Sequence, residues 1–297
     1  MTHLTLLQRT NYQGFPKAGE LIEITGAHEL EASDRAVVNL LYQHAHDSGR
    51  LTDDDAEWEI PMSALRFSRH KGNERVRDSL DRLMRVVVSV PLSDGKTGEP
   101  RVLLTHLFEF FDLSADEETP TGSVRFGLPK KLRPVLARSS RWGRIKAEVV
   151  CAMTSKYAIA LYELVQIRAG LDRSVEQFAI DRFRDLLGVP PSKLTRGPDF
   201  ERRVIEPALL EVNGLSDVGV RIDLVRAHAR APITAVTLGW WRKQGDDFRA
   251  AFAERQRSKF GRMARLRGEA QTAVPVPMKR QAALGQGSEA LPLNQVE

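Results

Sequence analysis

Between Met153 and Asn213 apolar residues recur at intervals of three and four in three successive runs, MTSKYAIALYELVQIRAG, VEQFAIDRFRDLLGVP and PSKLTRGPDFERRVIEPALLEVN. Each run predicts a helix. Thr154 or Ser155 is suited to cap the first, Tyr157, Leu161, Leu164 and Val165 form its stripe, and Gly170 ends it. The second begins near Asp181, presents Phe183, Leu186 and Leu187, and stops at Gly188. In the third, Pro198 fits the first helical position, where a missing N–H costs nothing. Phe200, Val204, Ile205, Ala208, Leu209 and Val212 cover about half of its circumference. Asp199, Arg202, Arg203 and Glu206 hold the other half, with Arg196 just ahead. Glu201 falls inside the apolar arc, Leu210 falls outside it, and Pro207 predicts a kink. Val218, Val220, Ile222 and Leu224 then alternate with other residues as in a half-buried strand. Ile233–Trp241 is the return strand, and RAHARAP between them carries Arg226, His228 and Arg230. Three helices followed by a β-ribbon are the layout of a winged helix.

The first half repeats that order without visible sequence identity. Ser33 precedes a helix with Ala36, Val37, Leu40 and Leu41 on one face, ending at Gly49. Trp58–Leu65 predicts a short helix starting at Pro61, and Val76, Leu80, Leu83 and Val87 predict a long one over 73–88. Val102–Leu113 and Ser123–Leu128 read as strands, joined by the polar loop DLSADEETPTG. The expected fold is therefore α+β, two tandem winged-helix domains. Residues 1–30, with Gly14, Pro16, Gly19 and Gly26, read as an N-terminal arm; 31–128 form the first domain and 129–152 a basic linker. Residues 153–241 form the second domain, 242–267 a basic helix, and 268–297, poor in aromatic residues, a disordered tail. Trp240 and Trp241 are expected as core and lid of the second domain, not as base-stacking platforms.

Charge sharpens this division. Residues 1–124 hold 13 Lys+Arg against 21 Asp+Glu, whereas residues 125–267 hold 29 against 15. Cations gathered on the second half are the footprint of a nucleic-acid surface, because neutralised phosphates release condensed counterions. The junction carries Lys130, Lys131, Arg133, Arg138, Arg141, Arg144 and Lys146, which suits either a crossing of the DNA backbone or an ordinary exposed linker. The acidic first half reads more as a protein-contact surface. Arg75, Arg77, Arg82 and Arg85 on its long helix suit phosphate contacts and surface salt bridges with Asp78 and Asp81 equally well.

Candidate chemistry is sparse. There is no phosphate-cradling GxxxxGK[ST] loop. His44 and His46 diverge on a helix and lack a companion carboxylate or cysteine cluster, so no metal is expected there. The lone Cys151 is expected as a small core residue. No apolar run approaches the roughly 20 residues of a membrane helix, and the first residues lack a secretory pattern. The expectation is a cytoplasmic protein that is not an enzyme and needs no cofactor.

TSKYAIALYEL, the helix ending LLGV and PDFERRVIEPALLEVN together resemble the iteron-binding plasmid replication initiator (Rep) family, over roughly residues 30 to 240 and most strongly after 150. The resemblance implies binding of double-stranded DNA at directly repeated origin sites and opening of an adjacent A·T-rich segment. It further implies recruitment of the host initiator and replicative helicase, and a monomer–dimer exchange in which dimers held by the first domain repress the protein's own promoter. The base readers expected are Arg196 and Arg202, with Arg203 and Lys193 on phosphates and Arg226 and Arg230 on the wing. Lys156 of the matching motif is a candidate backbone contact and Tyr157 a core residue. Glu201 stands where several relatives carry a basic residue. Two other readings fit the same layout: a winged-helix transcription regulator that binds a single palindrome, and a protein-interaction scaffold.

Overall fold

The computed structural model describes residues 4–66, 73–94, 97–114, 122–228 and 231–269. The polar loop at 115–121, Arg230 and the tail from 270 onward lie outside the described residues.

Strand β1 (Phe15–Ala18) runs directly into the short helix α1 (Gly19–Ile22), and α2 (Ala32–Asp47) follows. Glu31, not Ser33, caps α2: its carboxylate accepts from the first turn, while Asp34 accepts the Glu31 N–H at 2.8 Å. Strand β2 (Glu57–Pro61) and a 3-10 turn at Met62–Leu65 occupy the segment expected to be one short helix. The strand wins because Trp58 and Ile60, two apart, both face the core, where Trp58 stacks on Phe126. Helix α3 (Glu74–Arg85) leads into the hairpin of β3 (Val87–Ser93) and β4 (Pro100–His106). Burial of Leu107 and Phe108 breaks the long alternating segment, so β5 (Phe110–Leu113) leaves β4 and joins β6 (Ser123–Gly127) and β2 in a separate sheet of order β2-β6-β5.

The expected arm and linker are neither. Helix α4 (Leu132–Arg138), strand β7 (Trp142–Ile145) and helix α5 (Ala147–Ala152) fill the junction, and β7 pairs antiparallel with β1, Phe15 opposite Ile145. Phe15, Leu21, Leu30, Leu132, Leu136 and Val149 are all core. Four of the junction's seven cations are engaged by other parts of the chain, and of these Arg133 and Lys146 are buried. Arg133 donates to the carbonyls of Leu128 and Asp53, Arg141 pairs with Glu23 at 2.6 Å, Arg144 donates to the Arg9 carbonyl, and Lys146 pairs with Asp217 at 3.1 Å. Lys130, Lys131 and Arg138 remain exposed. The density of basic residues hides the apolar spacing of α4 in the sequence.

The second domain comprises α6 (Lys156–Gln166), β8 (Val175–Ala179), α7 (Ile180–Leu187), α8 (Gly197–Phe200), α9 (Glu206–Leu215), β9 (Val218–Arg226) and β10 (Ile233–Arg242), with sheet order β8-β10-β9. Ser155 caps α6, accepting from the Ala158 N–H, and Gly188 closes α7 in the left-handed conformation at φ 72°. Trp240 is buried and donates to the Arg168 carbonyl, while the more exposed Trp241 lies against Gly219. The expected C-terminal helix is two, α10 (Gly245–Gln256) and α11 (Arg262–Leu266), separated by Gly261 at φ 69°. They pack back on α9, with Leu266 seated against Gly214. Their cations are partly spent on Glu254, whose burial works against ionisation but whose carboxylate is held below its ordinary pKa by hydrogen bonds from Arg265 and the charges of Arg257 and Arg262.

One apolar core runs through both domains, and α6 lies at its centre with Ala158 to Val165 buried on every face. A buried polar knot ties this seam. Oε1 of Glu163 on α6 accepts from Lys17 Nζ of β1 at 2.8 Å and from Asn39 Nδ2 of α2 at 2.6 Å. Burial lowers the pKa of Lys17, and the Glu163 carboxylate opposes that shift.

Candidate nucleic-acid interface

Residues 197–215 form one continuous helical rod with a wide turn in it. Between α8 and α9 the backbone opens into a π turn, Glu201–Ile205, and the Glu206 N–H reaches back five residues to the Glu201 carbonyl. Pro207 accounts for the opening: it has no N–H to give, and in a regular helix its ring would strike the carbonyl of Arg203. The expected kink is thus absorbed one turn upstream. Phe200, Val204, Ile205, Ala208 and Val212 are buried, and Glu201, Arg202, Arg203 and Glu206 face outward.

The loop ahead of the rod is held from below. Arg184 of α7 lies over the Phe200 ring, 5.1 Å from its centroid, and donates to the carbonyls of Lys193 and Leu194 at 2.5 and 2.9 Å. Leu194 sits at φ 53°. Among the described residues it is the only non-glycine with positive φ. A branched residue in that region stores strain that the surrounding contacts must overcome. No local sequence signal marks it. The result is a fixed loop that leaves the Lys193 and Arg196 side chains exposed.

The expected contact residues therefore separate. Lys193, Arg196, Arg202 and Arg203 are all exposed, and among the described residues the sole partner of Arg202 is Asp199 at 3.4 Å. Arg226, at the end of β9, crosses to the rod, 3.6 Å from Glu201. A groove lined by Arg184, Arg196, Arg226 and Thr195 runs between them. Lys156 is placed elsewhere: its ammonium donates to the His28 carbonyl at 2.5 Å, and burial followed by the charge of Arg35 lowers its pKa. In this structure it links the domains and is not offered to a phosphate. Tyr157, half-buried, packs against the core.

The ends of the recurring motif are structural as well. The Glu211 carboxylate accepts from the N–H groups of Thr154 and Ser155 at 3.0 Å, closing the start of α6, and Asn213 exchanges two hydrogen bonds with the Val220 backbone. Glu211 and Thr154 lie far apart in sequence, so spacing alone does not reveal the contact.

Residues 17–166 match the family described as Initiator Replication protein, WH1, and residues 179–240 match Initiator Rep protein, WH2. The chain belongs to the initiator replication protein family. The resemblance read from the motif is thereby established, as is the two-domain winged-helix fold. The WH1 match takes in α6, which helix order alone assigns to the second domain; its all-round burial explains how it serves both. Among solved structures, the chain is similar to the crystal structure of Pi initiator protein in complex with iteron DNA, at 14% identity and TM-score 0.56, covering 77% of this chain and 97% of that one. This likeness is one of fold. No curated protein matches the chain. Helices α10 and α11 lie beyond both family matches.

Proposed function

We propose that this initiator acts by binding, without a chemical step of its own, and that it recognises directly repeated sites, or iterons, in a plasmid origin. The observation that carries the reading is the exposure of Lys193, Arg196, Arg202 and Arg203, mounted on a strained loop and a rod whose other side is core. Arginine offered in this way pairs bidentately with guanine in the major groove, and lysine neutralises phosphates. The Pi initiator protein, whose fold this chain resembles, was crystallised in complex with iteron DNA, which supports the same choice of partner.

Cooperative filling of the repeats bends the origin and opens the neighbouring A·T-rich segment, the deformation being offset by the contacts that it permits. The host initiator and replicative helicase are then recruited in the cytoplasm. A dimer that represses the protein's own promoter forms through the first domain. There, among the described residues, β4 pairs only with β3 and exposes Val102 and Leu104, an edge suited to a second copy of the chain.

Titration of the full-length chain against the origin fragment tests the reading. Stepwise complexes, one per repeat, that survive competitor DNA are expected. Equal affinity for scrambled repeats would overturn it, and preference for a single palindrome would assign the fold to transcription control.

A further inference from the structure

An acid stands at the front of this basic face, and its surroundings give it a task. Glu201 opens the π turn with 48% of its side chain exposed, next to Arg202 and Arg203 and beyond Arg196. Its Oε2 lies 3.6 Å from Nη2 of Arg226, whose own side chain is only 25% exposed. The same Nη2 lies over Gly197, 3.3 Å from where a Cβ would stand. Oε1 has no partner among the described residues. The wing therefore holds one end of the carboxylate and leaves the other free, at the level of the expected base readers.

A half-exposed ion pair contributes little to stability, and a carboxylate presented to DNA is repelled by phosphates. Such a group lowers affinity for every sequence unless it finds a donor in the groove. Resting on the function proposed above, we propose that Glu201 is a specificity-determining residue that accepts a hydrogen bond from the exocyclic amino group of cytosine at one position of the repeat. Arg226 is its positioning residue. A carboxylate is acceptor-only, so it matches cytosine N4 and is set against the O6 and N7 acceptors of guanine and the O4 of thymine. It selects partly by rejection, and the neighbouring arginines supply the general affinity. Holding the carboxylate by a wing residue reduces the freedom lost on binding.

Selection from a random duplex library by the full-length wild type, Glu201→Ala, Glu201→Gln and Arg226→Ala variants tests this. The wild type is expected to select cytosine at one position. Glu201→Ala should lose about tenfold preference there, keep the remaining positions and bind non-specific DNA more tightly. Glu201→Gln should shift the same position to adenine, which presents the donor and acceptor that an amide matches. Arg226→Ala should blur that position and lower the salt slope by about one. Unfolding midpoints of the two Glu201 variants should equal that of the wild type, because the side chain is outside the core. A Glu201→Ala variant that selects the wild-type site unchanged would overturn the inference and leave the proposed function standing. A wild type without any preference would overturn the proposed function itself, and the inference with it.

Discussion

Helix α3 of the first domain and the rod at 197–215 of the second hold the same place in two similar successions of elements, yet their arginines do opposite things. In α3, Arg82 turns back as a fork onto Asp34, its Nη2 and Nε at 2.8 and 2.9 Å from the two carboxylate oxygens, and Asp34 is fully buried. Arg85 pairs with Asp81 at 2.5 Å, and Arg77 donates to the Ser114 carbonyl at 2.7 Å. Arg75 has no partner among the described residues. On the rod, Arg203 has none either, and Arg202 is held only by a long contact to Asp199. Position within a winged helix does not by itself leave an arginine free. What differs is the supply of a buried acid: α2 gives Asp34 to Arg82, whereas among the described residues Arg203 has no acid beside it and Arg202 meets only the partly exposed Asp199.

Both helices stand on one shared scaffold, so the largest effect is expected from Glu163→Gln. Lys17 would then remain buried without its carboxylate, and about 3–5 kcal/mol of stability should be lost, read as a lower denaturant midpoint in both domains. A loss confined to one domain would mean that the seam does not unite them. Next comes Arg82→Ala, which leaves Asp34 buried and unpaired. Because Arg82 is about a third exposed, a loss of about 2–3 kcal/mol is expected, with DNA affinity and its salt dependence unaltered. A reduced salt slope would show that α3 does touch phosphate. Arg202→Ala should give the reverse pattern, an unchanged unfolding midpoint and about 1–3 kcal/mol less discrimination between repeat and scrambled DNA, measured by competition binding. Retained discrimination would remove Arg202 from the readers. The smallest effect belongs to Lys193→Ala, which should weaken all sequences alike and lower the slope of log affinity against log salt by about one.

Much of this was legible because it is local. Ser155, Gly188 and the alternation of Val218, Val220 and Ile222 each act through neighbours a few residues away, and the structure uses all of them as read. What escaped depends on distant partners. Strand β7 exists because β1, more than a hundred residues earlier, lies beside it. Only Phe178 of β8 is buried, so its sequence carries no apolar alternation, and the strand is defined by its pairing with β10. In the candidate site the exposed arginines could be read from helical phase. The strain at Leu194, the brace from Arg184 and the transfer of Lys156 to His28 could not, since each is set by a tertiary contact.

The Glu211 carboxylate has a mechanical consequence. It belongs to the far end of the rod proposed to meet DNA, yet the groups that it satisfies are the opening amides of α6, the helix that carries Glu163. Neither helix can pivot alone without breaking these part-buried, charge-assisted hydrogen bonds. The pair is geared together, so if the rod docks on a duplex as proposed, a tilt of the rod is expected to reach the joint between the domains.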